Sequence, residues 1–195
     1  SRPTGAEVRA DGVGLRLPDG AVLDVDWVLL GTGRTPSTAG LGLEAAGIEV
    51  DAEGYAVVDD ALRTTQPHVF AIGDCAHPEM TANHALADAT VAIANVVSPG
   101  SARRDAAAVP RVVYGAVELA RVGWSEDEAE AQGREPAVGF GGFEVNPAAL
   151  AADDGRGFVR LVADHDAGTL LGAEVVGRDA GELIQIAAPL VGRDD

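Results

Sequence analysis

Short apolar runs separated by turn residues dominate the first half of the chain. Val13 to Leu17 and Ala21 to Val25 flank Pro18-Asp19-Gly20, a pattern typical of a β-hairpin. Three further runs are predicted strands: Trp27 to Leu30, Tyr55 to Val58 and Val69 to Ile72. The first and last of these are continuously apolar and end at glycine, as buried strands of an α/β sheet do. The spacing from about Met80 to Val97 predicts a helix, so the first half is predicted to be an α/β segment.

The second half mixes strand patterns with short helical ones and begins after the turn-forming seam Ser98-Pro99-Gly100-Ser101. Its predicted strands are Arg111 to Tyr114, Leu119 to Val122, Ala137 to Phe143, Phe158 to Ala163 and Leu170 to Val176. Ser125 and Glu128 form the capping-box pattern that begins a helix. A last helix is predicted from near Asp179 to about Leu190, with Pro189 disturbing its end. We predict an α+β domain built on three antiparallel strands and helices.

Composition and charge narrow the range of functions. With 195 residues, 47% of them hydrophobic, the chain can bury a core, and no apolar run approaches a membrane span of ~20 residues. For lack of such a span we expect no membrane as partner. The net charge of −17 repels phosphate backbones, so we expect no nucleic acid as partner either. All 14 basic residues are Arg, against 31 acidic ones. A GC-rich genome accounts for the missing lysine, whereas the excess of acids favours a halophilic source.

Cys75 is the only cysteine of the chain. One thiol cannot form an internal disulfide, and no metal-type spacing of Cys and His surrounds it, so we expect no metal site. The cysteine usage favours a reducing, cytoplasmic location, and Ser1 to Asp11 lacks the apolar core of a signal peptide.

One segment, Thr64 to Asp74, carries the strongest chemical signal. A predicted strand there ends in Gly73-Asp74, and open α/β sheets bind ligands at the carboxyl ends of their strands. A carboxylate in this position accepts strong hydrogen bonds from sugar or polyol hydroxyls, while Gly73 lets a ligand approach the backbone. An Asp that merely caps the next turn explains the spacing equally well. Gly31-Thr32-Gly33 is a weaker signal, because it lacks a third glycine and a following helix.

These segments resemble the pyridine-nucleotide disulfide oxidoreductases, an FAD-dependent family. Thr64 to Asp74 is similar to the family's second flavin motif, which implies that Asp74 holds the ribityl chain of FAD. Gly31 to Pro36 matches a Gly-Arg-x-Pro segment, which implies that Gly33 lies against the nicotinamide nucleotide. Met80 to Ala85 falls where the family begins a helix whose N-terminus faces the flavin. The cofactor-binding residues implied are Gly33, Gly73, Asp74, Met80, Thr81, Ala82 and Asn83. Thr81, Asn83 and His84 depart from the family's Met-Leu-Ala-His-Lys-Ala-like pattern.

The second half resembles the dimerisation domain of the same family. The matching segments are Val109 to Tyr114, Glu118 to Trp124, Glu126 to Gly133, Gly157 to Val162, Leu171 to Ala173 and Val176 to Ile184. The resemblance assigns residues 1–35 to the end of a nucleotide-binding domain, 36–100 to the C-terminal part of an FAD-binding domain and 109–195 to a truncated dimerisation domain. It implies a homodimer formed through the residues after Pro110.

Within this family the chain looks most like dihydrolipoamide dehydrogenase. This resemblance implies FAD and NAD, or NADP, as cofactors, oxidation of a dithiol with hydride transfer to NAD, and a 2-oxoacid dehydrogenase complex as a candidate partner. The family's redox-active Cys pair and C-terminal His have no counterpart, so we expect no catalytic residue in this chain and no activity from it alone. A mercuric, glutathione or quinone reductase relative, or a non-enzymatic dimerisation or docking module, are the alternatives.

Four histidines complete the candidate chemistry: His68, His77, His84 and His165. His77-Pro78-Glu79 looks like the family's catalytic His-Pro segment but lies beside the flavin motif instead of after the final helix. We expect all four to be solvated or in loops.

Overall fold

The computed structural model describes residues 2–192, so Ser1 and residues 193–195, at the two ends of the predicted domains, lie outside it. The described chain forms two compact units that divide between Thr35 and Pro36. The first unit contains an antiparallel sheet of strands β1 (Gly5–Arg9), β2 (Gly12–Arg16) and β3 (Val22–Val25), in that order. Strands β2 and β3 are the predicted hairpin, which is confirmed, whereas β1 was not predicted.

The predicted buried strand from Trp27 to Leu30 is wrong. These residues form no strand, and the exposed fractions of Trp27 and Leu29 are 90% and 96%. A strand needs a neighbour for its N–H and C=O groups, and no strand within residues 2–192 pairs with this run.

The start of the second unit, up to the first helix, is built from turns and isolated bridges. Tyr55 to Val58 forms no continuous strand, because only Ala56 and Val58 make single bridges, to Val50 and Thr64. The predicted strand from Val69 to Ile72 is also wrong: only Phe70 is bridged, and the exposed fraction of Ile72 is 37%. Both runs have the apolar residues of strands, but the described residues supply no ladder for them.

Helix α1 spans Ala82–Val97, as predicted, and Thr81 is its N-cap. The buried positions of this helix include three polar side chains, those of His84, Asp88 and Asn95. Its apolar residues Leu86, Ile93 and Val97 are exposed. Hydrogen bonds replace apolar packing on the inner face of α1, since buried polar groups need partners.

A five-stranded antiparallel sheet forms the rest of the second unit, in the order β4-β5-β8-β7-β6. Its strands are β4 (Arg111–Val113), β5 (Leu119–Gly123), β6 (Pro136–Gly142), β7 (Gly157–Asp164) and β8 (Leu170–Gly177). The antiparallel sheet is therefore confirmed, and it joins all five strands predicted for this half, where we expected only three antiparallel strands. The remaining α-helices are α2 (Glu126–Ala131), α3 (Pro147–Ala151) and α4 (Ala180–Ala187).

Helix α4 covers one face of this sheet and supplies its core. Ile184 is fully buried against Val122 of β5 and Val175 of β8, among other apolar side chains. Burying a side chain of this size stabilises the fold by about 1.5–3 kcal/mol. The predicted capping box of Ser125 and Glu128 is present at α2. Helix α4 ends at Ala187, and Pro189 lies in the 3-10 turn that follows.

Candidate functional site

The predicted Gly73-Asp74 pair lies in a 3-10 turn, Gly73–Cys75, which packs on the first turns of α1. Gly73 adopts a φ of +64°, in the left-handed region that favours glycine. A Cβ at this position would come within 2.9 Å of the Ala85 Cβ. Glycine is therefore required here both by the backbone and by close packing against α1, reasons that the motif alone does not reveal.

Asp74 presents its carboxylate to solvent at this turn. Within residues 2–192 its side chain makes no hydrogen bond and no ion pair, and the turn has no side-chain cap. The simpler explanation of Asp74 as a capping residue is thus not supported. An unpaired carboxylate on a glycine turn is free to accept hydrogen bonds from hydroxyl groups of a ligand.

The start of α1 lies next to this turn. The Thr81 hydroxyl accepts from the His84 amide at 3.3 Å and lies 2.7 Å from His84 Nδ1, so this side chain is used as a cap. The amides of Ala82 and Asn83 precede the intrahelical ladder, and neither has an acceptor among the described residues. The Asn83 side chain donates to the Pro110 carbonyl at 3.1 Å. Ala82 and Asn83 therefore offer backbone N–H groups at the positive end of the helix.

Two other predicted residues are placed differently. Met80 links the turn to α1 and adopts a φ of +46°. Only 6% of its surface is exposed, so its side chain lies in the interior. Gly33 belongs to the first unit, is exposed, and adopts a φ of +105° with no atom near its would-be Cβ. The second unit thus brings Gly73, Asp74 and the start of α1 together.

A buried group of charges lies beneath the turn, and sequence reasoning missed it. The Asp88 side chain is 1% exposed, and its Oδ2 accepts from the Gly73 amide at 3.0 Å. Arg104 donates from Nε to Asp88 Oδ1 at 2.9 Å and lies 3.2 Å from the Glu79 carboxylate. The only signal in the sequence is that Asp88 is the single charged residue of helix α1.

The electrostatics of this buried group disfavour the protonated form of its two histidines. Burial, reinforced by the positive charge of Arg104, lowers the pKa of His77, since a desolvated ring disfavours its charged form. Burial also lowers the pKa of His84. Burial acts to raise the pKa of Glu79, but its own backbone amide and Arg104 outweigh this and lower the pKa. The charge of Arg104 therefore favours the ionised form of Glu79.

The prediction that all four histidines are solvated or in loops is wrong for His84. This residue lies in α1 with 1% of its surface exposed, because the cap at Thr81 turns its ring inward. His77 is in a loop, but its side chain is only 17% exposed, 3.9 Å from Asp88. His68 and His165 are exposed, as expected.

Two general properties of the described residues bear on function. No group of three or more His, Cys, Asp or Glu side chains within residues 2–192 is arranged to hold a metal ion. No helix in the same part of the chain has the length and apolar character needed to cross a membrane.

Comparison with known proteins assigns nearly the whole chain. Residues 2–94 match the model of the family described as pyridine nucleotide-disulphide oxidoreductase. Residues 109–192 match the model of the dimerisation domain of the same family. The five-stranded sheet with α4 lies within the second match, so the predicted dimerisation domain is confirmed.

Individual relatives agree with these matches. The chain is 40% identical over 179 residues to the mercuric reductase of Acidithiobacillus ferrooxidans, covering 92% of this chain and 32% of that protein. It is 41% identical over 161 residues to the dihydrolipoyl dehydrogenase of Halobacterium salinarum, covering 83% of this chain and 34% of that protein. The crystal structure of LpdA from Mycobacterium tuberculosis superimposes with a TM-score of 0.90 at 26% identity, covering 99% of this chain and 42% of that chain. The chain spans about a third of the length of these curated relatives, and it belongs to the pyridine nucleotide-disulphide oxidoreductase family.

Proposed function

We propose that this chain forms part of an FAD-dependent disulfide oxidoreductase of the dihydrolipoamide dehydrogenase type, which oxidises a dithiol and reduces NAD. One observation carries the proposal: the exposed, unpaired carboxylate of Asp74 lies on a turn that packs against the free N-terminus of α1. Members of the family use FAD and NAD(P), which supports these cofactors. In the same proposal residues 1–35 are the end of a nucleotide-binding domain, and residues 36–100 are the C-terminal part of an FAD-binding domain.

The residues present fit a flavin on chemical grounds. The Asp74 carboxylate accepts hydrogen bonds, as polyol hydroxyl groups require. The free amides of Ala82 and Asn83 and the positive end of α1 suit a group that gains negative charge on reduction. Gly33, in the other unit, is exposed and unobstructed, as close approach of a nicotinamide nucleotide requires.

In this proposal FAD supplies the electron transfer between dithiol and nicotinamide, and the chain supplies orientation and charge. Asp74 fixes the cofactor by accepting hydrogen bonds, and the amides at the start of α1 stabilise negative charge. Thr81 keeps that helix end ordered by capping it, while the buried charges keep the turn in place. No residue of this chain is proposed to transfer a proton.

The test is flavin content in the complete flavoprotein that carries this segment. Asp74→Asn keeps the side-chain size but weakens the acceptor, and Asp74→Leu removes it. We expect lower FAD affinity in the first variant and a largely flavin-free protein in the second. Asp166→Asn, an exposed carboxylate on the β7–β8 loop, is the matched control and should keep its FAD. Equal FAD affinity in Asp74→Leu and the control would remove the basis of the proposal.

The chain by itself offers a second measurement. It contains one wall of the proposed site, so we expect weak or no FAD binding by the 195-residue chain in a flavin fluorescence titration. Sub-micromolar binding would show that other residues form the site.

A mercuric reductase is the second candidate, favoured by the 40% identity to the protein from Acidithiobacillus ferrooxidans. Assays of the complete flavoprotein with dihydrolipoamide and with Hg²⁺ separate the two activities directly. A natural protein without a Cys pair would instead favour a non-enzymatic dimerisation or docking module.

We also propose a homodimer formed through the residues after Pro110, supported by the match to the dimerisation domain. Light scattering at molar salt should give twice the mass of the chain, and a monomer would contradict the proposal. The acidic composition supports the proposal of a halophilic source, and the single cysteine supports that of a cytoplasmic location. A 2-oxoacid dehydrogenase complex is the partner proposed for the dihydrolipoamide dehydrogenase type.

A further inference from the structure

We infer that Asp88 is the positioning residue that fixes the Gly73-Asp74 turn against helix α1, and so determines where the Asp74 carboxylate is presented. The inference rests on the proposed function for its consequence, because only the proposed FAD contact makes the position of Asp74 matter. Asp88 itself is buried, so it acts through the turn and does not touch the cofactor.

The contact that carries this inference joins residues fifteen apart in the chain. Asp88 Oδ2 accepts from the Gly73 amide at 3.0 Å, and both residues are buried. Gly73 has a left-handed backbone conformation, which the local sequence does not impose on a glycine. A hydrogen bond from this amide to a charged, desolvated acceptor selects one orientation of the turn.

Asp88 is itself held by a second partner. Arg104 Nε donates to Asp88 Oδ1 at 2.9 Å, so each carboxylate oxygen has its own donor. The Arg104 side chain is 16% exposed and also lies 3.2 Å from the Glu79 carboxylate. The bond to Arg104 fixes one oxygen of the buried Asp88 carboxylate, and the bond to the Gly73 amide uses the other. Asp88 can therefore hold the Gly73 amide in one position.

The bond between Asp88 and the Gly73 amide allows a positioning role to be distinguished from a general contribution to stability. Removing a buried ion pair would weaken the whole second unit, but loss of positioning would appear first at the Gly73 amide. Asp88→Asn is the conservative variant, because its amide oxygen can still accept from Gly73 while its charge toward Arg104 is lost. Asp88→Ala removes both acceptors.

Amide hydrogen exchange of the 195-residue chain, read at single residues by NMR, is the first measurement. In Asp88→Ala we expect the Gly73 amide to exchange about 10- to 100-fold faster. A hydrogen bond to a charged group changes an equilibrium constant, here that of local opening, by about 10- to 100-fold. Asp88→Asn should give a smaller increase. The amides of Val122 and Ala173 in the sheet serve as the internal control: they report any general loss of stability, and Gly73 should accelerate by a larger factor than they do. Gly73 exchange in Asp88→Ala that is no faster than that of the sheet amides, or Gly73 exchange that stays unchanged in both Asp88→Asn and Arg104→Gln, would overturn the inference.

FAD affinity of the complete flavoprotein is the second measurement. Asp88→Asn should weaken FAD binding by a smaller factor than Asp74→Leu, without losing the folded sheet. Faster Gly73 exchange with unchanged FAD affinity would overturn the role of Asp88 toward the cofactor. A wild-type protein that binds no FAD would instead refute the proposed function, while the exchange result would still report the positioning of the turn.

Discussion

Replacing Gly73 by Ala tests whether the turn at the candidate site is fixed by packing against α1. A residue with a Cβ pays about 1–2 kcal/mol for the left-handed conformation that Gly73 adopts at φ +64°. The new Cβ would also lie 2.9 Å from the Ala85 Cβ. Crowding of this kind in a packed interior costs about 1–3 kcal/mol. We therefore expect Gly73→Ala to lower the free energy of unfolding by about 2–5 kcal/mol.

Two further substitutions separate these contributions. Gly168 has a φ of +72° but no atom within 4 Å of its would-be Cβ, so Gly168→Ala should show only the backbone cost of about 1–2 kcal/mol. Ala85→Gly costs about 1 kcal/mol alone, because glycine weakens a helix. Combined with Gly73→Ala, however, it removes the crowding atom. The double mutant should therefore be more stable than the sum of the two single changes by about 1–3 kcal/mol.

Urea unfolding at fixed salt gives the free energy of unfolding of the three single variants and the double mutant, each compared with the wild type. Trp124 packs on a buried cluster that includes Ala129 and Val162, so its fluorescence reports on the second unit. Trp27 is 90% exposed and should contribute little change. The reasoning is refuted if Gly73→Ala costs no more than Gly168→Ala, or if the double mutant shows no coupling between positions 73 and 85.

Three other predictions concern the capping box of α2, the histidines His77 and His84, and the net charge. Ser125→Ala removes the acceptor of the Glu128 amide and should cost about 1 kcal/mol in urea unfolding; no loss would mean that the capping box contributes nothing. Because burial lowers the pKa of His77 and of His84, the folded state binds fewer protons. Stability should thus fall as the pH drops below the ordinary value of about 6.5. The urea midpoint between about pH 7.5 and about pH 5.5 should change less in a His77→Gln, His84→Gln protein than in a His68→Gln control, and equal slopes would contradict this. With a net charge of −17, the chain should be more stable in molar salt than in dilute buffer, and a midpoint independent of salt would argue against adaptation to high salt.

The sequence predicted the dimerisation half more accurately than the first half. In residues 109–192 each predicted strand has its partners within the chain, so alternation and turn residues were sufficient. The Ser125–Glu128 capping box and the effect of Pro189 on the last helix are local, and both were correct. Trp27 to Leu30 and Val69 to Ile72 have equally strong apolar patterns, but a strand depends on a neighbour that no pattern in the same segment can provide.

The candidate site shows the same division between local and distant causes. The motif identified Asp74 and the start of α1, because glycine turns and helix starts have short-range signatures. It could not identify Asp88, since an acidic residue in an Ala-rich helix is most often on the solvated face. Here α1 instead buries Asp88 and exposes Leu86 and Ile93.

The burial of polar side chains on α1 explains how the turn that carries Asp74 is kept in place. Two of the polar side chains on its inner face bond other segments: Asp88 accepts from the Gly73 amide, and Asn95 donates to the Ala102 carbonyl. Asn83 at its start donates to the Pro110 carbonyl, just before β4. Helix α1 therefore ties the turn that carries Asp74 to the segment that leads into the dimerisation domain. Hydrogen bonds suit this role better than apolar packing, because they are directional and fix the orientation of each segment.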